Sequence, residues 1–290
     1  MTSPTPPHCP VCESDEIFPM AVEEYLGCLF RIARCGRCGA LFTSYREADR
    51  NIDYRQFDEQ GFTRKYLPIL QGARKHDRHE NYLEITAVAG KYLPRGRLLD
   101  VGCHGGWLLS YLQAENRWEL YGLEPSPFLA RLTSERLGIP VYNDVLRAGV
   151  LEDGDFNFVF LTDVLEHLQD PRGALRVVRD SMKAGGFLLI KVPNADFVYW
   201  KYRLRKPLGF LLESAEIFDA KEHYVLFSRK ALETLLSANG FRILEMRIPK
   251  PIQARGSAWL TRAARAVVYQ LGRAGILPGQ DLLVVAKKIL

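Results

Sequence analysis

From Arg97 onward the chain alternates short apolar runs with stretches of helical period. RLLDVG, WELYGLE, PVYND, FNFVFL and FLLIKVP are each too short and too apolar for a surface helix and read as strands. Between them, HGGWLLSYLQ and SPFLARLTSERLG carry apolar residues at helical spacing, the second closed by Gly138. Asp170 with Pro171 behind it is a helix start, because the aspartate side chain caps and proline suits the first turn. That helix is predicted to end at Gly185 and Gly186. A further helix runs from Ser228 to Gly240, and FRILEMR and DLLVVAKKI complete seven strands. Such βα alternation predicts an α/β domain with a doubly wound sheet covered on both faces, whose ligand crevice lies at the carboxyl ends of the strands.

The first third has a different pattern. Residues 44–94 are polar, with Tyr82, Ile85, Ala89 and Leu93 at helical intervals, and read as linking helices that pack onto the domain behind them. Before them, Cys9 and Cys12 form one C-x-x-C pair and Cys35 and Cys38 another, with 22 residues between. Two such turns facing one another supply four thiolates to a single tetrahedral ion, and the duplication favours structural zinc over a redox dithiol. A closed four-cysteine site leaves no open position, so the zinc belongs to folding and not to catalysis. The expected organisation is a zinc-binding module over 1–43, a helical linker over 44–94 and a catalytic domain over 95–290 with a lid-like insertion at 197–222.

Composition narrows the function classes. The 290 residues are 47% hydrophobic and 25% charged, which excludes intrinsic disorder and whole-chain coiled coil. No apolar run reaches membrane-spanning length, and the opening MTSPTPPHCP has neither the basic start nor the apolar stretch of a signal peptide, so a cytoplasmic location is expected. The formal net charge of +5 is small for a nucleic-acid binder and is local in origin. Residues 197–210 carry four basic side chains and 247–273 carry six, with no acid in either, while the rest of the chain has 29 basic against 34 acidic residues.

Candidate chemistry begins where the first βα strand ends, at Asp100, Val101, Gly102, Cys103, His104, Gly105 and Gly106. A dinucleotide fingerprint needs glycine at 102, 104 and 107, and it fails at His104 and Trp107. Asp100 is also a poor neighbour for a pyrophosphate, and a good one for a cofactor with an ammonium group and no phosphate. Glu124 ends the second strand, where a carboxylate accepts ribose hydroxyls, and Asp144 follows the third, placed for an adenine amino group with the Val145 amide beside it. Three acids at three successive strand ends around a glycine-rich turn point to S-adenosylmethionine.

The ordered segments LLDVGCHGGWLL, GLEPS, VYNDVL, FNFVFLTDVLEHLQDP, MKAGGFLLIKVPN and EHYVLFSRKALETLLSANGF resemble class I S-adenosylmethionine-dependent methyltransferases over residues 95–290. With the CPVC and CGRCG pairs in front, the chain further resembles zinc-module methyltransferases of sugar and natural-product pathways, without room for the additional carboxy-terminal domain of the sugar enzymes. The resemblance implies a seven-stranded Rossmann-like sheet. It places Asp100, Gly102, His104, Gly106, Glu124, Asp144, Val145, Leu161 and Thr162 around the cofactor, with His104 where glycine is common. It also implies a Glu-His pair, Glu222 and His223, at the acceptor, and His167 near the sulfonium.

Methyl transfer is an in-line displacement that needs a base only when the acceptor must lose a proton. His223 is the expected base, as against a histidine that merely packs, and His167 is expected to orient or pack; Tyr54 is a further candidate from the linker. FVYWKYRLRKPLGF reads either as a lid gripping an anionic acceptor or as a solvated face. SAWLTRAARAVVYQL places Trp259, Leu260, Ala263, Ala264, Val267, Val268 and Leu271 on one stripe, suited to core packing or to a membrane surface and a lipid-linked acceptor. The expected reaction is therefore methyl transfer to a small molecule such as a sugar, glycolipid or natural-product intermediate. An RNA methyltransferase and a non-catalytic binding module are the alternatives, the first disfavoured by the modest charge and by LTDV standing where exocyclic-amine enzymes carry their Pro-Pro motif.

Overall fold

The computed structural model describes residues 8–25, 27–46, 59–71, 73, 75–151, 154–205, 218–252 and 259–289. Three antiparallel strands open the chain, β1 (Ile17–Tyr25), β2 (Cys28–Cys35) and β3 (Leu41–Arg46). Two helices follow, α1 (Glu59–Leu70) and α2 (His79–Tyr92). The βα region then runs β4 (Gly96–Val101), α3 (Trp107–Ala114), β5 (Trp118–Leu123), α4 (Pro127–Leu137), β6 (Val141–Tyr142), β7 (Phe156–Thr162), α5 (Pro171–Asp180), β8 (Met182–Pro193), α6 (Ala195–Arg205), β9 (Val225–Leu226), α7 (Arg229–Ala238), β10 (Phe241–Arg247), α8 (Trp259–Arg273) and β11 (Asp281–Lys288).

The main sheet has the order β10-β11-β8-β7-β4-β5-β6. Pairing is parallel from β8 to β6, whereas β11 runs antiparallel to both β8 and β10. The chain winds outward from β4 in both directions, so the switch point falls between β4 and β7, where an open α/β sheet parts to admit a ligand. Because β11 is reversed, its first residue, Asp281, pairs with Pro193 at the carboxyl end of β8 and joins the same crevice.

The seven strands of the main sheet and helices α3, α4, α5 and α7 lie where the sequence pattern predicts, with one boundary corrected. The helix after Asp170 stops at Asp180, not at Gly185 and Gly186. Residues 182–186 already belong to β8, because Met182 pairs with Phe156 and the register jumps to Phe187 opposite Phe158. Gly185, at φ +70, makes the bulge. Left-handed backbone serves a bulge and a helix stop equally well, and the pairing with β7 decides between them.

The strands at the start of the chain do not form a separate core. β3 pairs with β9, Leu41 with Leu226 and Phe42 with Val225, making a second sheet of order β1-β2-β3-β9. Val11, Ala33, Ala40 and Phe42 share a buried cluster with Leu161, Leu165, Ile190 and Leu235 of the main domain. On the other face Phe30, Ile32 and Leu41 pack with Ala195, Val198 and Phe218. Ser228 joins the two regions at one atom: its Oγ accepts from the Ala231 amide as the cap of α7 and donates to the Cys38 carbonyl at 2.5 Å.

Candidate functional site

The cysteine turns close as their spacing predicts. The four sulfurs lie within 4.8 Å of one another, with Cys9 and Cys38 3.7 Å apart and Cys12 and Cys35 3.5 Å apart. Disulfide sulfurs sit at about 2.05 Å, whereas a tetrahedral ion with ligands at about 2.3 Å spaces its sulfurs by roughly 3.8 Å. The Cys9 thiol is pulled down to about 5, first by its hydrogen bond with Cys38. Its backbone amide donates to the Ser14 carbonyl, and those of Cys35 and Gly39 donate to the Ala40 and Cys35 carbonyls, which fixes both turns.

The glycine-rich turn after β4 is the second centre. Gly102 (φ +69) donates its amide to the Leu123 carbonyl at 2.7 Å, and a Cβ there would come within 2.7 Å of the Val164 side chain. Gly106, also at φ +69, starts α3, and a Cβ would meet the Thr133 methyl at 2.6 Å. Between them His104 adopts φ +50, an uncommon conformation for a residue with a side chain, and is held on both backbone faces. Its amide donates to Glu124 Oε2 at 2.8 Å, and its carbonyl accepts from Thr133 Oγ1 at 2.8 Å. The imidazole packs against Phe62 and Tyr66 of α1, at ring separations of 5.3 and 5.7 Å. Burial first, then the neighbouring His76, Lys65 and Arg78, hold it down to about 4, so it is neutral at ordinary pH.

The two acids beside this turn are buried. Asp100 is 2% exposed, its Oδ1 has no hydrogen-bond partner, and burial followed by the nearby Glu124 raises its carboxyl to about 8. Glu124 is raised by burial, against the pull of the Ser126 and His104 amides on its two oxygens. Asp144 sits nearer the surface, its oxygens taken by Arg147 at 2.5 Å and by the Val145 amide at 2.8 Å. Leu161 is fully buried in β7, and Thr162 ends that strand half-buried.

The acceptor candidates converge from several segments. After β7 the chain turns at Asp163 (φ +56) and forms a single 3-10 turn over Leu165–His167. His167 donates Nδ1–H to the Glu222 carbonyl at 3.0 Å, and His223 Nδ1 lies 3.0 Å from the Phe218 carbonyl. Each carbonyl accepts from Nδ1–H, so in the neutral ring the lone pair falls on Nε2. The two rings stand 5.0 Å apart. Glu166, 1% exposed, has Oε1 4.0 Å from His167 Nε2 and is raised by burial to about 7. Burial also lowers His167. The backbone of this loop is gripped by β3: the Thr43 amide donates to Tyr224 O at 3.0 Å and Thr43 Oγ1 to His223 O at 3.2 Å. Glu222 contributes its carbonyl to this arrangement, and Tyr54 lies outside the described residues.

Several residues at this crevice carried no clear signal in the sequence. Phe62, Tyr66, His76 and Trp107 roof the glycine turn. Lys191 is buried in β8, 2.7 Å from Asp163 and 3.4 Å from Asp281, with Arg78 bonded to the other oxygen of Asp163. A lone lysine inside the run FLLIKVP was the available clue. Of the basic segment at 197–210, residues up to Arg205 continue α6, which docks on the amino-terminal sheet. Tyr202 OH donates to Met20 O at 2.7 Å and Arg34 lies over the Tyr199 ring at 4.4 Å; residues 206–217 lie outside the described region. In α8, Val268 and Tyr269 line a cavity of about 240 Å³ with Phe197, Ile248, Pro249 and Asp281, while Val267 is exposed. No helix among the described residues is long and apolar enough to cross a membrane.

A family model described as "Methyltransferase domain" matches residues 74–246. Ubiquinone biosynthesis O-methyltransferase of Cereibacter sphaeroides is 33% identical over 105 residues, 34% of this chain and 42% of that protein. The enzyme of the same name from Xanthomonas axonopodis is 32% identical over 121 residues, 39% and 50%. The matched region thus spans about half or less of those relatives. Among solved structures, the magnesium protoporphyrin IX methyltransferase of Synechocystis with bound S-adenosylhomocysteine superposes with a TM-score of 0.55 at 15% identity, covering 83% of this chain and all of that one. A SAM-dependent methyltransferase of Methanosarcina mazei gives 0.51 at 17% identity, over 70% and 97%. At these identities the structures establish the fold.

Proposed function

Because the chain belongs to the methyltransferase domain family, we propose that it transfers a methyl group from S-adenosylmethionine to a small-molecule acceptor. The observation that carries this reading is the pair of buried carboxylates flanking the glycine turn, Asp100 with an unpartnered oxygen and Glu124 held by two backbone amides. A buried carboxylate without a counter-charge is expensive and stays charged only if a cation or strong donors arrive. A sulfonium cofactor with an ammonium group and two ribose hydroxyls meets that need, and a pyrophosphate worsens it. When bound, the cofactor supplies an electrophilic methyl group. Asp100, Gly102, His104, Gly106 and Glu124 hold it; Asp144, Val145, Leu161 and Thr162 border it.

At the acceptor, His223 takes the proton, with His167 beside it and Glu222 holding the His167 ring through its backbone. The names of the relatives favour oxygen as the methylated atom, and the sequence resemblance favours a sugar, glycolipid or natural-product intermediate, anionic or lipid-linked if the basic segments face it. The four cysteines hold structural zinc. Calorimetry of zinc-loaded protein with S-adenosylmethionine tests the core of this reading. Micromolar binding is expected; a folded protein that binds none is a binding module of another kind. Methyl incorporation into RNA with steep salt dependence would instead make RNA the acceptor.

A further inference from the structure

We propose that Glu166, His167 and His223 form a second metal site, distinct from the cysteines, that takes a divalent cation through two imidazoles and one carboxylate. The three ligand atoms lie within 4.8 Å of one another. Around an ion whose ligands sit at about 2.0–2.2 Å the ligand atoms stand roughly 3.4 Å apart, so these side chains draw in by up to about 1.4 Å when it binds. Both rings are already oriented for it. His167 Nδ1 and His223 Nδ1 are each turned to a backbone carbonyl, of Glu222 and of Phe218, at 3.0 Å. A metal-bound histidine characteristically spends its second nitrogen in this way, which fixes the tautomer and aims Nε2 at the ion.

Glu166 supplies an independent observation. It is 1% exposed and its Oε2 has no hydrogen-bond partner. Lys191, in the same buried region, is spent on Asp163 and Asp281. The oxygen nearest the imidazoles is Oε1, 4.0 Å from His167 Nε2, and a cation there balances the charge of a carboxylate whose other oxygen has no hydrogen-bond partner. The backbone around it is braced, with the Tyr224 amide donating to the Glu166 carbonyl at 2.8 Å and β3 holding residues 223 and 224 from the other side.

Two nitrogens and one carboxylate suit a borderline divalent ion such as Zn(II), Mn(II), Co(II) or Fe(II), and leave coordination positions open. The placement gives those positions a use, which rests on the methyltransferase reading. The 3-10 turn bearing Glu166 and His167 begins beside Val164, whose side chain lies against Gly102 of the cofactor turn. With the cation bound, His223 serves as its ligand in place of the proton acceptor it is in the cation-free site: an acceptor hydroxyl binds the cation through oxygen and releases its proton to solvent. The oxygen lone pair then forms the O–C bond while the C–S bond breaks and leaves its electron pair on sulfur, giving a methyl ether and S-adenosylhomocysteine. The ion keeps its oxidation state, and with one carboxylate it retains a single positive charge to match one acceptor oxyanion.

The test is Co(II) titration of protein whose cysteine site is already filled with zinc, read by visible absorption. The expected result is about one further equivalent bound with a nitrogen-and-oxygen spectrum that lacks thiolate charge transfer, weakened about 10-fold or more in Glu166→Gln and in His223→Gln. Uptake of no further Co(II), or uptake unchanged in both variants, overturns the site. His223→Gln keeps the test valid if the buried Glu166→Gln variant fails to fold. S-adenosylmethionine calorimetry on the same samples separates the two claims. Cofactor binding without the second Co(II) removes only the metal site, and Co(II) uptake without cofactor binding removes only the methyltransferase reading.

Discussion

The crevice has two halves built in opposite ways. The proposed cofactor half is local: Asp100, the turn from Gly102 to Gly106, Glu124 and Asp144 all come from one continuous stretch running from β4 to just past β6, and two backbone amides hold Glu124. The acceptor half is assembled from a distance, with Thr43 from β3, Arg78 before α2, Glu166 and His167 after β7, His223 before β9 and Asp281 at the start of β11. A local half can retain its shape while other parts of the chain are disturbed. The distant half depends on every segment that meets there, the cysteine turns included.

Metal removal is the strongest challenge to this contrast. The Cys38 carbonyl binds the Ser228 cap and Phe42 shares the main buried cluster, so loss of the proposed zinc should loosen the loop carrying His223 before it touches Glu124. Structural zinc contributes on the order of 10 kcal/mol in isolated zinc-dependent folds. The expectation here is a fall of several kcal/mol in stability for Cys9→Ser, followed by unfolding denaturation curves and zinc content. Unaltered stability would show that the cysteine turns are not what holds the acceptor half together.

His223→Ala attacks the distant half at one side chain. Turnover should drop by about 10²–10⁴-fold, the usual worth of a positioned proton acceptor, with cofactor affinity unchanged. A parallel loss of affinity would mean that the halves are coupled. The complementary change is Glu124→Gln, which removes the charge and puts a donor where one of the two amides needs an acceptor. It should weaken cofactor binding about 10–100-fold by calorimetry, the cost of replacing charge-assisted hydrogen bonds by neutral ones, while zinc content stays constant.

The same contrast explains what could be read in the sequence. Asp100, Glu124 and Asp144 each end a strand recognisable by composition, so their neighbourhood follows from topology alone. Glu166 stands next to His167 in the chain, yet nothing local indicates that it faces His223, since that meeting depends on β3 pairing with β9. The aromatic roof over His104 depends likewise on where α1 comes to rest. Asp144 shows the reverse case: its place at a strand end was legible, but the Arg147 partner that occupies its carboxylate is a side-chain choice that strand pattern does not encode. Gly185 and Gly186 mark a break in either reading, and only the pairing of Met182 with Phe156 turns a helix stop into a bulge.

The smallest effect tests the local half through pH. Asp100 has a folded-state pKa raised from 3.8 to about 8 by burial and by Glu124. A carboxyl raised on folding favours the folded state while protonated, so its contribution is fully present below its unfolded value and is lost as pH rises through about 8. Cofactor-free protein should therefore lose stability across that window. Asp100→Asn, neutral throughout, should flatten the profile and be more stable than the parent at pH about 9, by on the order of 1–3 kcal/mol. A cationic cofactor reverses the balance by favouring the charged carboxylate, so the parent's affinity for S-adenosylmethionine should rise over the same window while the variant's stays level. Parallel stability profiles for the two proteins would show that Asp100 ionises without penalty, and the buried-acid argument for the cofactor half would then fail at its first residue.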